Sequence, residues 1–581
     1  MKIALVSTPW APSESPTISL GLLKATLRQH HHSCRCFYVS NQFYQAASQE
    51  MGEDVEFMME LITMDPDLLI YDWLFSRRVF GSHPRDAEYI EEYLAQNSFK
   101  NDLIKIRERF ESLMDDIADE PWDEYDYIGF SCTHNQTMSS LALAKTISQK
   151  HPHLKIIFGG CAIDSKAANE LSSQAPYVDH FFIGESEKSL IQFLEQPSDA
   201  KIIHPQPLTT EELSGLPVPN YDEFYDETGS HDCAVEASRG CWYGDKTICS
   251  FCGMVPEARY RPNRNVLDNI QELKEKYDIK FFEFSDLLIP SSYIDSIFPR
   301  TVDMGLRFHY NIRVDTVNPN HLDKLRIMRD GGTQSFFVGI ETLHPKILQL
   351  MEKGHSSTES ISLLKWAKYY GIFPIWLLLV GTPYAQESWN LEVLSLLKKM
   401  THLYCPGIQS VVISKDSPYY KRMDLDVTPV YYYVYPDTVN RHSLAWEFEP
   451  LDQKYRSNKI AQSPSIARTL QFVDYWRQIQ NQSSLTKTGN KIYDDRDPER
   501  HQSYRLTDSQ SELLDYCFIP KQEQEVKDIF EPHDILHVID LDLLVPMEGQ
   551  YVSLIEPEYD FDHYRKQFGT NSSDPKKLTV L

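Results

Sequence analysis

The sequence predicts an α/β protein made of two parallel-sheet assemblies and a smaller, less periodic C-terminal region. Three observations carry this. Over roughly the first 200 residues, short β-branched runs alternate with amphipathic helical patterns. A Pro-rich break follows, and the same alternation resumes from about 230 to 415. From 416 onward the chain is richer in Tyr, Asp and Pro and loses the rhythm. A chain of 581 residues also suits several domains better than one.

Residues 2–7 read as the first strand and 20–30 as a helix after a Pro-containing loop. Further strands are expected at 127–131, 155–158 and 178–183, with a helix over 136–150. The segment from about 50 to 120 interrupts this order with acidic, aromatic-rich helical stretches and reads as an insertion in a domain spanning 1–205. Gly159-Gly160 and Gly184-Glu185 close two of the strands. Open parallel sheets bind ligands at that edge, where helix N-termini point. Tight packing turns with no ligand are the other reading of each pair. The run Gly215-Leu-Pro-Val-Pro-Asn-Tyr221 lies in a linker, 206–229. Strands are then expected at 233–238, 279–284, 306–312, 334–339, 374–380 and 408–413. Six βα units within 230–415 suit a partial parallel barrel, with its chemistry at the strand C-terminal ends. Residues 416–581 form a small C-terminal α+β extension, and no repeat is visible beyond the βα rhythm.

Composition narrows the class. With 41% hydrophobic and 24% charged residues, the chain has apolar material for several cores and is not a disordered one. No run approaches the roughly 18–20 apolar residues that span a bilayer. The opening MKIALVSTPW reads as a strand and lacks the features of a signal peptide, so a cytoplasmic location is expected. A net charge of −27 argues against nucleic acid and anionic membranes as partners and suits a basic or neutral peptide. His30, His31 and His32 before Cys34 and Cys36 resemble a metal tract, with a solvated helix end as the alternative.

The chemistry sits in Ser238-Arg-Gly-Cys241-Trp-Tyr-Gly-Asp-Lys-Thr-Ile-Cys249-Ser-Phe-Cys252-Gly253, just after the first predicted barrel strand. Thiolates are soft ligands for iron–sulfur clusters or zinc. Three of them hold three irons of a cubane and leave the fourth iron open, as a cluster that binds a cosubstrate requires. A structural zinc site wants a fourth ligand. Cys233 is the candidate and keeps zinc or a closed cluster as the alternative. A strand separates it from the loop, roughly 20 Å or more if extended.

This strand–loop, with Phe251 before the last cysteine and βα units after it, resembles the radical S-adenosylmethionine (SAM) superfamily. The common spacing there is C-x3-C-x2-C, whereas here the first gap holds seven residues. The longer gap, in Arg239-Gly-Cys-Trp-Tyr-Gly244, resembles members that mature ribosomally made peptides, including cobalamin-dependent C-methyltransferases. Val338-Gly-Ile-Glu-Thr-Leu343, Leu350-Met-Glu-Lys-Gly354, Leu363-Leu-Lys-Trp366 and Leu379-Val-Gly-Thr-Pro383 follow that family's order. Asp416-Ser-Pro-Tyr-Tyr420, Leu444-Ala-Trp-Glu-Phe448 and Ile492-Tyr-Asp-Asp-Arg496 fit it as well. Ile312-Arg-Val-Asp315 departs from the Lys-Ala-Asn common in the peptide enzymes and looks more like general cobalamin-dependent members.

The resemblance implies that Cys241, Cys249 and Cys252 hold a 4Fe–4S cluster with SAM on its open iron. One electron cleaves SAM to methionine and a 5′-deoxyadenosyl radical, which takes hydrogen from an unactivated carbon. It further implies Phe251, Glu283, Asp286, Arg313 and Glu341 as SAM contacts. Of these, Glu283 and Asp286 stand at the amino group, Arg313 at the carboxylate, and Glu341 at the ribose or amino group. A reductant such as flavodoxin or ferredoxin is an implied partner.

The same family places a Rossmann-like cobalamin-binding domain ahead of the barrel. Three loops match in order, implying Ser131, Thr133, Gln136, Gly159, Gly160, Gly184 and Glu185 as cobalamin contacts. The Asp-x-His-x-x-Gly signature is absent, and His134 has another spacing. A degenerate domain kept for structure is the alternative. The implied function is cobalamin-dependent C-methylation of a ribosomally made precursor peptide. The alternatives are a cobalamin-independent radical SAM enzyme (epimerisation, crosslinking or rearrangement), one with a small-molecule substrate, or a metal-stapled binding protein without catalysis. The C-terminal region would then grip substrate or act as a lid.

Overall fold

The computed structural model describes residues 1–52, 62, 68–95, 98–253, 257–452, 463–558 and 560–568. Parts of the expected insertion, 53–61, 63–67 and 96–97, lie outside the described residues. The chain divides into two compact units: 1–236 with 259–279 and 425–449, and 237–258 with 280–424 and 450–581.

The first unit holds a six-stranded parallel sheet: β1 (Lys2–Val6), β2 (Ser33–Phe37), β3 (Tyr127–Ser131), β4 (Lys155–Gly159), β5 (His180–Phe182) and β6 (Ile202–Ile203), in the order β2-β1-β3-β4-β5-β6. Parallel neighbours need crossovers, and the helices Ile18–Gln29, Thr137–Lys150, Ser165–Gln174 and Glu187–Glu195 supply them. Ile3 to Val6 is a continuous buried run, as expected of a strand covered on both faces. The strand order reverses between β1 and β3, so the cleft at their C-terminal ends is the ligand position of this architecture.

His30 and His31 are exposed at the end of the helix Ile18–Gln29, while Cys34 and Cys36 lie within β2. Their i, i+2 spacing turns both inward, and both are buried. The insertion contributes the helices Ile70–Phe80, Asp86–Glu92 and Lys100–Ala118. Phe75 and Phe110 stack at 5.6 Å beside Trp10 and Phe43. A late stretch of chain completes this unit: Tyr435 donates to Asp72 at 2.6 Å, and Tyr433 to Glu92 at 2.6 Å.

After β6 the chain adds the short strands β7 (Asp232–Val235), β8 (Ser238–Arg239) and β9 (Arg259–Tyr260). The second unit is built on β10 (Phe281–Phe284), β11 (Arg307–Ile312), β12 (Thr333–Val338) and β13 (Phe373–Ile375), parallel neighbours in that order. The strand expected over 374–380 breaks at Trp376. Its second half, β14 (Leu377–Val380), pairs in parallel with β15 (Gly407–Ser410). A parallel bridge from Glu341 to Leu378 keeps this pair in line with β12. Phe282, Phe284, Phe308, Tyr310, Phe336 and Val338 are buried on one face. On the other, Glu283 and His309 face each other in register, and Phe373 and Ile375 are 44% and 38% exposed. That half-open face is what a partial barrel presents.

Beyond β16 (Ile413–Ser414), β17 (Leu425–Val427) and β18 (Glu447–Pro450), the C-terminal part of the second unit is antiparallel. Strands β19 (Leu485–Thr488), β20 (Lys491–Asp494) and β21 (Gln502–Arg505) form a meander in chain order. The two-residue turn Gly489-Asn490 sets the first hairpin, with Gly489 at φ +55°. The helix Asp508–Tyr516 follows, opened by a Thr507/Gln510 capping box. Next come β22 (Lys521–Gln522), two short helices, and the hairpin of β23 (Leu544–Met547) and β24 (Gln550–Ser553). Among the described residues no helix is long and apolar enough to cross a membrane.

Candidate active site

In the second unit, the cysteine loop sits on a cradle made by the segment after the helix Pro345–Leu350. Ser250 donates from its backbone to Met351 O at 3.0 Å and from Oγ to Leu350 O at 2.7 Å. Tyr243 donates to Glu352 O at 2.7 Å. The far side of the loop is held by Ser414, whose N–H donates to Phe251 O at 3.1 Å. Two glycines permit this closeness. A Cβ on Gly253 would lie 1.8 Å from Lys415 O, and one on Gly354, at φ +73°, would lie 2.6 Å from the Tyr243 hydroxyl. The quoted Met-Glu-Lys-Gly run is therefore the seat of the cysteine loop.

Cys241, Cys249 and Cys252 are each partly exposed and none is in a disulfide. The Gly244 N–H donates to Cys241 Sγ at 3.4 Å. Among the described residues no three His, Cys, Asp or Glu side chains stand together closely enough to hold a metal ion. What fits a cluster is the donor set: three soft thiols on one short loop, with the Gly244 N–H turned toward the Cys241 sulfur.

The other predicted SAM contacts divide by what already engages them. Asp286 is 1% exposed and accepts from Ala237 N at 3.0 Å and from Ser238 Oγ, tying the end of β10 to β8. Arg313, 2% exposed, donates to Asp315 at 2.9 Å and to Lys353 O, and its guanidinium lies 3.3 Å from the centre of the Tyr243 ring. Its fork is thus turned inward, bracing the cysteine loop. Glu341, at φ +63°, ends beyond β12 and accepts from Lys353 Nζ at 2.8 Å. Gly339 makes room for that pair, since a Cβ there would meet both charged ends at about 3 Å. Glu283 lies on the open sheet face, and Phe251 has the Lys353 ammonium 5.9 Å from its ring centre.

Lys353 was given no role by the sequence reading, although it stands inside a quoted motif. It is 5% exposed. Burial works against its ammonium, but Glu341 and Cys249 outweigh it and hold its pKa above the ordinary lysine value. The signal was the left-handed backbone on both sides, Glu352 at φ +56° and Gly354 at φ +73°, which a sequence does not display. His309 was missed too. Its Nδ1 lies 2.8 Å from Ser335 Oγ on the open face, and burial lowers its pKa.

In the first unit, the predicted cobalamin contacts gather at the C-terminal edge of β3, β4 and β5. Gly160 is forced: at φ +104°, a Cβ would lie 2.4 Å from Cys132 O. It bridges to Gly184 across the edge. Ser131 pairs with Ser19 at 2.8 Å. Thr133 and Gln136 form a capping box, and Gln136 Nε2 donates to Thr8 O at 2.7 Å. Glu185 accepts from Leu208 N at 3.0 Å and from Arg259 at 3.0 Å. Beneath the edge lies a cavity of about 40 Å³, lined in part by Leu5, Leu23, Gly129, Ser131 and Gly159. A Cβ on Gly129 would intrude on Leu5 at 2.9 Å, so the glycine keeps the slot open.

Comparison with known proteins bears on the second unit first. The radical SAM superfamily model matches residues 235–397. An uncharacterised methyltransferase of Pyrococcus horikoshii is 24% identical over 324 residues, covering 50% of this chain and 65% of that protein, so the chain spans just under two thirds of this relative's length. Among solved structures, the radical SAM methyltransferase TsrM from Kitasatospora setae, with cobalamin and a 4Fe–4S cluster bound, aligns at 12% identity and TM-score 0.47 over 73% of this chain and 74% of that one. The cobalamin-dependent SAM radical enzyme OxsB, with aqua-cobalamin bound, aligns at 14% identity and TM-score 0.47 over 93% and 70%. The match to the radical SAM superfamily model, over residues 235–397, takes in the cysteine loop and the parallel strands that follow it.

Proposed function

We propose that this enzyme is a cobalamin-dependent C-methyltransferase that acts on an unactivated carbon of a ribosomally made precursor peptide in the cytoplasm. The observation that carries the reading is a six-stranded parallel sheet with glycines at its C-terminal edge on the same chain as the cysteine loop. A cluster on the loop supplies the electron that cleaves SAM, and cobalamin supplies the methyl group. The chain's own part is to hold and orient. Cys241, Cys249 and Cys252 hold the cluster. Lys353 and Glu341 offer opposite charges for the zwitterionic end of SAM, while Arg313 braces the loop. Gly160 and Gly184 leave backbone exposed for a flat ligand. The 40 Å³ slot is far smaller than the few hundred Å³ of a typical ligand pocket, so the ring would lie outside it, against the edge. The peptide substrate rests on the Arg239-Gly-Cys-Trp-Tyr-Gly244 wording, and the methyl transfer draws support from the relative's name.

One observation favours a second reading, a radical SAM enzyme without cobalamin that carries out epimerisation, crosslinking or rearrangement. Thr133, Gln136 and Glu185 are all engaged inside the first unit. Anaerobic purification from cobalamin-supplied cells, followed by metal analysis, separates the two. Near-stoichiometric cobalt with about four irons per chain supports the methylase, and iron without cobalt selects the second reading. Cys249→Ala is expected to abolish SAM cleavage, and full cleavage in that variant overturns the cluster assignment.

A further inference from the structure

Strands β10 to β13 carry a row of side chains across their open face. Glu283 stands opposite His309, His309 opposite Ser335, and Ser335 opposite Phe373. In-register neighbours of a parallel sheet share a face, so the backbone fixes this order. The next row toward the strand ends runs from Asn311 through Phe337 to Ile375. The face therefore changes character along its width. On β10 and β11 it is polar, and toward β13 it turns apolar, with Phe373 and Ile375 exposed.

The polar half offers acceptors. Glu283 is exposed and supplies a carboxylate. His309 Nδ1 is tied to Ser335 Oγ at 2.8 Å, and His309 makes no other hydrogen bond among the described residues, so its Nε2 is uncommitted. Burial lowers the His309 pKa and keeps the ring uncharged at neutral pH. Nε2 then accepts whenever Nδ1–H donates to Ser335. Asn311 spends its amide N–H on Asp286 O at 3.1 Å, which leaves Oδ1 as a third acceptor. The β11 cation, Arg307, lies a row lower, 5.9 Å from the centre of the Phe281 ring. A carboxylate and two neutral acceptors beside exposed apolar side chains match one kind of group: a cationic head with several N–H donors on an apolar stem. Depth agrees. His309 and Ser335 each lie three residues before the last residue of their strand, Ile312 and Val338, which is roughly 10 Å at the rise of a strand. A long side chain entering from the C-terminal ends, where a barrel does its chemistry, reaches this row, and a short one does not.

We propose that this face is the specificity pocket for the substrate residue, and that the residue is arginine or lysine. Its head is held by Glu283, His309 and Asn311, and its methylene stem lies along Phe337, Phe373 and Ile375. The proposal rests on the peptide reading above and names the kind of residue that the peptide presents. Glu283 serves the substrate in this assignment, while Glu341 and Lys353 serve SAM. The test uses the full-length protein, purified anaerobically with its cluster oxidised so that added SAM stays intact. Two probes are compared by calorimetry with SAM present: N-acetylarginine amide, and N-acetylcitrulline amide, which keeps the shape and loses the charge. The arginine probe is expected to bind about ten-fold more tightly or better. Glu283→Gln should bring the ratio of the two affinities close to one. Phe373→Ala should weaken both probes alike and leave their ratio standing, which keeps the pocket testable if Glu283→Gln does not fold. No preference in the wild type, a preference that survives Glu283→Gln, or unchanged binding in Phe373→Ala overturns the proposal. Displacement of the arginine probe by SAM overturns it as well, because Glu283 then serves the amino group of SAM. If the enzyme carries cobalt and methylates a peptide at a residue with a neutral side chain, the pocket falls and the function stands. If the arginine preference holds in an enzyme that carries no cobalt and methylates no peptide, the pocket stands and the proposed function falls.

Discussion

A Cβ on Gly253 would stand 1.8 Å from the Lys415 carbonyl oxygen, which no rotation of a neighbouring side chain relieves. Gly253→Ala is therefore expected to push the cysteine loop off its seat. Overpacking of this kind costs about 1–3 kcal/mol, and iron and sulfide per chain should fall by more than half beside an unchanged far-ultraviolet spectrum. Asp286 makes a complementary case. With Asn there, one of the two donors, Ala237 N or Ser238 Oγ, faces an amide NH₂ instead of an acceptor. Leaving a buried donor unsatisfied costs about 1–3 kcal/mol, readable as a lowered midpoint in urea. The sequence displayed the thiols because cysteine spacing is local. It did not display Lys353 or the inward turn of Arg313, because those roles depend on contacts between separate elements, Lys353 to Glu341 and Arg313 to Lys353 O.

At the scale of elements, the clearest case is the clasp between the helix Ile70–Phe80 and the tract Tyr431 to Tyr435. Asp72 is 3% exposed, accepts from Tyr435 at 2.6 Å, and has no partner on Oδ1. Burial, against the help of the Tyr435 hydrogen bond, raises its pKa from 3.8 to about 7. The folded chain thus keeps a proton that the unfolded chain releases. The stability this gives is complete below pH 4, declines as pH rises, and is gone above about 7. The span amounts to roughly 4 kcal/mol at 1.36 kcal/mol per unit. Urea melts at pH 5 and pH 8 should show the wild type losing stability while Asp72→Asn stays nearly level across the interval. A slope unchanged by the substitution removes Asp72 as its source. Most strands of both parallel sheets were legible from β-branched runs bounded by turns and fell within a few residues of their expected places, whereas the two-residue edge strand β6 is too short to leave such a run. The break of one strand at Trp376 was not, since it reflects a neighbour shift in the sheet and leaves no local trace.

At the scale of the whole molecule, chain order and packing order differ. Residues 259–279 and 425–449 belong to the first unit, although the sequence rhythm assigns them to later segments. Nothing local in a tyrosine tract says that it returns across more than 300 residues to cover Asp72 and Glu92. This has a direct consequence for dissection. A fragment of residues 1–236 keeps all six strands of the first sheet but loses the Tyr433 and Tyr435 contacts and the helix Asn263–Tyr277, whose Tyr277 donates to Asp222 at 2.7 Å. Stripping buried aromatic surface from a unit this size costs several kcal/mol, a large share of the 5–15 kcal/mol by which domains are stable. The fragment should therefore keep helical and strand signal in the far ultraviolet while losing near-ultraviolet fine structure and binding hydrophobic dyes. Supplying 425–449 through a flexible linker from residue 236 should restore part of the lost melting temperature, whereas an Asp72→Ala fragment should gain less from the same graft. A fragment that melts cooperatively at the temperature of the intact chain would mean that the late segments decorate the first unit without completing it.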